Sequence, residues 1–267
     1  MAPRITLTTD FGTRQGSQAV LHGVIAQICP DAVVTDHTHE VTPFDIVQGG
    51  FLLATNAFWF PEGSVHVVVV DPGVGTDRRP IAAEVGSHLF VGPDNGVLSW
   101  VFARAEREGW GTRVVHLTEP RFWLGAVSST FHGRDLFAPV AAHLACGVPL
   151  EELGPAIDDP VRLPVPGARR EGDDVVGEVI YIDPYGGAIC SVRPQDVAHL
   201  SAAYDVELCG AVTERTVRTF GESDLGPDHL ITLWDSSGYL LVTENNGVGG
   251  RVISPRPGDA VRVRARR

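Results

Sequence analysis

Little in this sequence invites nucleic acid, a membrane or a disulfide scaffold. Its 21 basic residues against 33 acidic ones leave a formal net charge of −12, the reverse of the clustered Lys and Arg that displace counterions from a phosphate backbone, which argues against a nucleic-acid partner. Cysteine is scarce: Cys29, Cys146, Cys190 and Cys209 are widely spaced and form no C-x-x-C pair, so neither a zinc knuckle nor a thioredoxin-like motif is present. A chain of 267 residues with 43% hydrophobic content is expected to fold on its own core without disulfides or structural metal, the cysteines serving as small buried apolar residues. No stretch approaches the ~20 apolar residues of a membrane helix, and the opening Met1 to Asp10 has no apolar leader core, so the cytoplasm is the expected compartment. Also missing are a G-x-S-x-G elbow, an H-E-x-x-H helix and a Cys/His nucleophile pair, which removes the commonest hydrolase classes.

What is present is a change of texture along the chain. The first part alternates β-branched runs with amphipathic helix-length segments, the pattern of a parallel sheet covered by helices. Strands are expected at Ile5 to Thr9, Ala32 to Thr35, Val65 to Val70, Ile81 to Val85, His88 to Val91 and Val114 to Leu117. Helices are expected at Gly16 to Cys29, Asp45 to Phe60, Val97 to Glu108 and Arg134 to Cys146. The nearly all-valine run at Val65 to Val70 suits a central strand buried on both faces. Four prolines between Gly154 and Asp174 mark a linker. Beyond it short strands separated by glycine turns follow at Val175 to Ile182, Ala188 to Val192, Val206 to Cys209, Thr216 to Phe220, Leu230 to Trp234, Tyr239 to Thr243 and Ala260 to Val263. The expected architecture is an N-terminal Rossmann-like α/β domain over residues 1–155 with a parallel central sheet, a linker over 156–173, and a smaller C-terminal all-β, barrel-like domain over 174–267.

In open α/β sheets ligands bind beyond the carboxyl ends of the strands. Asp10 and Asp71 stand at two such ends, where a phosphate cradle would instead offer glycine amides and a lysine; ATP and NAD pyrophosphate are thus disfavoured. Carboxylates suit hydroxyl groups or a cation, although each aspartate alone is better explained as a turn or cap residue. Arg78 and Arg79 follow Asp71 closely enough for the Gly73 to Gly75 turn to fold one guanidinium back onto it; solvated surface arginines are the plainer alternative. His132 lies in Ser128-Ser-Thr-Phe-His-Gly-Arg-Asp135, next to the positive end of a helix. A carboxylate, an arginine and a histidine in one pocket would orient a water, with His or Asp taking its proton. Asp36, His37, His39, Glu40 and Asp45 suggest a metal, but no third ligand is evident and a hydrogen-bonded structural turn is the preferred reading.

Five ordered motifs, Thr9-Asp-Phe-Gly12, Asp36-His-Thr-His-Glu-Val-Thr-Pro-Phe-Asp45, Val70-Asp-Pro-Gly-Val-Gly-Thr-Asp-Arg-Arg79, Gly92-Pro-Asp-Asn-Gly96 and Phe131-His-Gly-Arg-Asp135, together resemble the S-adenosyl-methionine hydroxide adenosyltransferase family, relatives of the fluorinase and chlorinase. The resemblance continues through Tyr181 to Gly186 and Asp235 to Leu240. It implies an adenosine-forming S-adenosyl-L-methionine hydrolase acting without cofactor or metal, and a homotrimer whose active sites lie between one subunit's first domain and its neighbour's second. It implies further that Asp71, Arg78 and His132 hold the attacking water, that Asp10 grips the ribose hydroxyls, and that Phe44 and Phe131 line the nucleoside pocket. Asp183 would meet the methionine ammonium and Ser236 its carboxylate, with Tyr185 and Phe220 also in the substrate-binding set. Gln15, Ser17, Gly187 and Ser237 depart from the family's usual residues at positions that bear on purine selectivity and affinity. The rival readings are a halogenase, disfavoured because the Asp71 carboxylate repels halide, and a non-catalytic sensor of S-adenosyl-methionine or adenosine.

Overall fold

A parallel core sheet needs strands apolar on both sides, and the valine-rich run meets that demand: in the computed structural model all five residues of Val65–Val69 are buried. The structure describes residues 2–200, 204–226, 228–245, 249–250 and 252–265. It divides into two units, Met1–Val165 and Pro166–Arg267.

In the first unit the elements in chain order are β1 (Arg4–Thr9), α1 (Ser17–Ile28), β2 (Val33–Thr38), α2 (Ile46–Asn56), β3 (Val65–Val69), β4 (Pro80–Val85), β5 (His88–Pro93), α3 (Ser99–Glu108), β6 (Thr112–His116), α4 (Ala138–Ala145) and β7 (Ala156–Ile157). They form one seven-stranded sheet in the order β2-β1-β3-β5-β4-β6-β7. The parallel character expected of it holds for β2, β1, β3 and β5. The other half is antiparallel, because β4 and β5 are joined by only Gly86 and Ser87, and so short a hairpin reverses the chain. Gly86 adopts φ 58 there, a conformation glycine enters without a Cβ clash. Val65, Val67 and Val69 of β3 share one core with Leu21 and Ile25 of α1 and with Val140 and Ala141 of α4.

Several local expectations change. The helix expected over 45–60 ends at Asn56 and continues as a 3-10 turn, Ala57–Trp59. The helix expected over 134–146 begins as a π turn, Gly133–Phe137, before α4. Residues 156–157, placed in the linker by sequence, pair with β6, and Val161 and Leu163 donate their backbone N–H groups to Asp94 and Ser99.

The expectation that no disulfide forms is overturned. Cys29, at the end of α1, is bonded to Cys146, at the end of α4, with Cα atoms 5.9 Å apart. Periodicity along each helix says nothing about which helix ends meet, so a separation of 117 residues concealed the pair. Cys190 is buried as expected and burial pushes its thiol pKa up, whereas Cys209 is exposed. Closing so long a loop restricts the unfolded chain, and reduction of the bond is expected to lower stability by about 2–4 kcal/mol. Urea unfolding with and without dithiothreitol checks this; alkylation of the unreduced, denatured protein should label two cysteines, and labelling of all four would refute the bond.

The second unit contains β8 (Arg169–Glu171), β9 (Asp174–Ile182), β10 (Ala188–Cys190), β11 (Tyr204–Leu208), β12 (Ala211–Val212), β13 (Arg215–Thr216), β14 (Leu230–Trp234), β15 (Leu240–Glu244) and β16 (Ala260–Ala265). The sheet runs β12-β11-β16-β9-β10-β15-β14-β13, with β8 on β9, and curls as a half-barrel. Its core takes alternate residues such as Val175, Val206, Leu208, Leu240, Val242, Val261 and Val263, the period of two that a one-sided sheet requires. The strand expected over 216–220 shrinks to β13, because the Arg218 backbone and guanidinium both bond the Glu222 carboxylate and close a 3-10 turn at Phe220–Glu222.

Candidate functional site

The parallel strands deliver their carboxyl ends to one edge of the first sheet, and a cleft of about 440 Å³ opens there. Asp10, Phe11, Phe44, Asp71, Phe131 and His132 are among its walls, with Gln15 and Ser17 at its margin. Asp10 follows β1 directly and accepts a hydrogen bond from the Phe44 backbone N–H at 2.9 Å. Phe44 sits at φ 68 with its ring 68% exposed. A bulky residue in the left-handed region costs about 1–3 kcal/mol and persists only where its surroundings enforce it. Here the Asp10 carboxylate enforces it on one side. On the other, Asp45 caps α2 through Gln48 and anchors the chain immediately after Phe44.

Asp71 follows β3, and the turn after it carries Arg78 back onto it. The Arg78 Nε lies 3.1 and 2.9 Å from the two carboxylate oxygens and Nη2 lies 2.5 Å from Oδ2. The same Nη2 reaches His132 Nδ1 at 2.7 Å. Both members of the ion pair are nearly closed off from solvent, with side chains 9% and 4% exposed for Arg78 and Asp71. Arg78 also lies over the Phe137 ring, 5.2 Å from its centre. Asp71, Arg78 and His132, distant in sequence, are therefore in direct contact. Arg79 goes elsewhere, to Asp94 and Asp159.

Two loops must approach closely for this contact to form. Gly75, at φ 79, lies where a Cβ would stand 2.3 Å from the Ser129 carbonyl oxygen, so only glycine lets the loop after β3 rest on the loop before His132. That second loop is held by Asp135, whose carboxylate accepts from the Ser128 backbone N–H at 2.8 Å, from the Ser128 hydroxyl at 2.7 Å and from Arg134. Burial alone would raise the Asp135 pKa, but the Arg134 and Ser128 hydrogen bonds outweigh it and the carboxyl is held below its ordinary value. The His132 pKa is lowered, first by burial and then by the Arg78 charge, against the opposing pull of Asp71 and Asp135.

The structural turn expected of the Asp36 to Asp45 motif is only partly one, since Asp36 and His37 lie in β2 and His39 just follows it. His37 and His39 bond the hydroxyls of Thr8 and Thr9 at the end of β1, and Asp36 meets both His39 and His22. Among the described residues no group of three His, Cys, Asp or Glu is placed to hold a metal ion.

Asp183, Tyr185, Phe220 and Ser236 belong to the second unit and are not among the residues lining the cleft. Asp183 accepts from the backbone of Tyr185 and Gly187, shaping the turn after β9. Tyr185 and Phe220 are 71% and 46% exposed. Sequence reasoning missed Phe11 as a wall of the cleft, packed edge-on against Phe131, and Ser128 and Asp135 as its scaffold. The only signal for them was membership of the motifs that carry the site.

A strand-end cleft in a two-domain α/β protein, floored by a carboxylate–guanidinium–imidazole cluster, defines a small-molecule site rather than a polymer groove. Residues 5–154 match the N-terminal domain of the SAM hydroxide adenosyltransferases and residues 177–262 match their C-terminal domain; the chain belongs to that family. It is 44% identical to an (R)-S-adenosyl-L-methionine hydrolase of Salinispora tropica over 98% of each chain. It is 36% identical to a protein of the same name from Thermus thermophilus, over 96% of this chain and 97% of the other. A fluorinase of an Actinoplanes species is more distant, at 28% over 91% of each chain. Among solved structures, an uncharacterized conserved protein from Thermotoga maritima superposes with a TM-score of 0.89 at 32% identity, covering 97% of this chain and 99% of that one. Among the described residues no helix is long and apolar enough to cross a membrane.

Proposed function

We propose that this protein hydrolyses S-adenosyl-L-methionine to adenosine and L-methionine, a water attacking the ribose C5′ in line with the departing sulfur. The observation that carries the reading is the contact of Asp71, Arg78 and His132 at the end of β3. A sulfonium leaves readily because departure turns a cation into a neutral thioether. The chemistry therefore needs mainly an oriented water and somewhere for its proton to go. Asp10 offers acceptors for the ribose hydroxyls, and Phe11, Phe44 and Phe131 supply apolar and aromatic surface for the nucleoside. No metal or cofactor is required by this route. We place the enzyme in the cytoplasm as a homotrimer, in which a neighbouring copy's second unit brings Asp183, Tyr185, Phe220 and Ser236 to the methionine end of the substrate; the exposure of Tyr185, Phe220 and Ser236 in the single chain supports that arrangement.

Incubating the purified protein with S-adenosyl-L-methionine and chromatographing the products is expected to give adenosine and methionine in equal amounts. A halo-deoxyadenosine formed in the presence of halide would assign the protein to halogen transfer. Binding without conversion would make it a sensor and end the hydrolytic reading.

A further inference from the structure

The reaction needs one proton acceptor, and two residues of the cluster, Asp71 and His132, could supply it in principle. Hydrogen-bond polarity separates them. A guanidinium has five N–H donors and no acceptor, so the 2.7 Å contact between Arg78 Nη2 and His132 Nδ1 requires a lone pair on Nδ1. An imidazolium and an Nδ1–H imidazole are both incompatible with that contact, since each would oppose two N–H groups. The ring is thus neutral with its proton on Nε2. Both ring nitrogens are then committed: Nδ1 accepts from Arg78, and Nε2 can only donate.

We propose that Asp71 takes the proton of the attacking water, and that His132 is a positioning residue that holds the Arg78 guanidinium on the Asp71 carboxylate and offers the cleft no lone pair. The inference rests on the hydrolytic reading given above. Asp71 and His132 both line the cleft, whereas Arg78 is not among its walls and joins the two from behind. The backbone of Ser128, a residue itself fixed by Asp135, accepts a ring N–H, which with Nδ1 turned to Arg78 is that of Nε2. The lowered pKa of His132, caused first by burial and then by Arg78, agrees with a ring that stays neutral.

The step balances as follows. The water oxygen forms its bond to C5′ while the C5′–S bond breaks and its electron pair stays on sulfur. One water O–H bond breaks, its proton passing to an Asp71 oxygen and its electrons remaining on the new hydroxyl of adenosine. The proton later leaves Asp71 for solvent. A carboxylate is a weak base, but it need not generate free hydroxide. As the O–C bond forms, the attacking water takes on positive charge and becomes strongly acidic, and a nearby carboxylate then suffices.

The test compares Asp71→Asn, His132→Asn and His132→Leu, with kcat for adenosine formation followed against pH. The amide oxygen of His132→Asn can replace Nδ1 as the acceptor for Arg78, whereas leucine offers nothing. Asp71→Asn is expected to lower kcat by about 10²–10⁴-fold, the range for a lost general base, and His132→Asn by about tenfold with the acid limb of the profile kept. His132→Leu should fall well below His132→Asn. A His132→Asn variant as slow as Asp71→Asn, or one that loses the acid limb, overturns the assignment. Two-bond ¹H–¹⁵N correlation of histidine-labelled resting protein near neutral pH reads the same question without turnover: an Nε2–H pattern for His132 supports it and an Nδ1–H or imidazolium pattern overturns it. If the wild-type protein converts no S-adenosyl-L-methionine, the reaction fails, and the tautomer still decides what His132 does.

Discussion

Arg78→Ala is expected to lower kcat for adenosine formation by about 10³-fold or more, and to weaken folding by about 3–5 kcal/mol as well, the usual result of removing one partner of a buried ion pair. The Asp71 side chain is 4% exposed, so without the guanidinium its charge has neither partner nor bulk water. His132 simultaneously loses the donor that fixes its tautomer. Arg78→Lys should recover little, although it keeps the charge. Arg78 uses Nε and Nη2 on Asp71 while Nη2 also reaches His132, a planar fork that a single ammonium does not reproduce. The whole chain contains no lysine, so arginine is the cation wherever a carboxylate is not paired with histidine among the described residues. Steady-state kinetics with urea unfolding checks both halves of the expectation. Turnover within threefold of the parent would remove Arg78 from the reaction.

The second large effect is acid destabilisation from the sheet interior. His66 on β3 is fully buried, bonded to Thr6 through Nδ1 at 2.8 Å and to His88 through Nε2 at 3.0 Å, and stacked on Phe90. Burial, with smaller contributions from His88 and His37, lowers its pKa to about 3. His88 is lowered as well, chiefly by burial, with Glu62 opposing and Arg104 assisting. Below the unfolded value of 6.5 the unfolded chain binds a proton that the folded chain refuses. The stabilising contribution is therefore complete above that pH and is lost as pH falls toward 3. At no more than about 1.36 kcal/mol per pH unit, and half that at pH 6.5 itself, His66 alone accounts for about 2.3 kcal/mol between pH 6.5 and 4.5. Lowered carboxylates such as Asp135, Glu171 and Glu222 act mostly nearer pH 4, so the histidines dominate this window. Urea midpoints at the two pH values should differ accordingly, and His66→Gln, which keeps hydrogen-bonding capacity without the titration, should flatten the difference. An equal pH dependence in the variant would show that His66 does not carry the effect.

The local parts of the fold were legible because each leaves a period in the chain. The valine run marks β3 and the alternation in the second unit marks β9, β15 and β16, since burial on two faces or on one imposes those patterns. The 3-10 turn at Phe220 and the π turn at Gly133 were not legible, because side-chain hydrogen bonds and local packing override a weak propensity there. The antiparallel half of the first sheet follows from a two-residue turn that sequence reading located without drawing its topological consequence. For the site, strand-end position identified Asp10 and Asp71, and motif resemblance supplied Arg78 and His132. Asp135 and Gly75 were invisible as determinants because their work is to hold one loop against another.

The sequence by itself determined most of the longer strands and helices, where the acidic strand ends fall, and the family to which the chain belongs, since these depend on residues close together or on ordered motifs. Only the tertiary structure decided that Cys29 meets Cys146, that Arg79 turns away to Asp94 and Asp159, and that His132 faces the guanidinium through Nδ1. Each is a contact between loops or helix ends brought together by the packing of the whole sheet, and the polarity of a hydrogen bond has no counterpart in residue order.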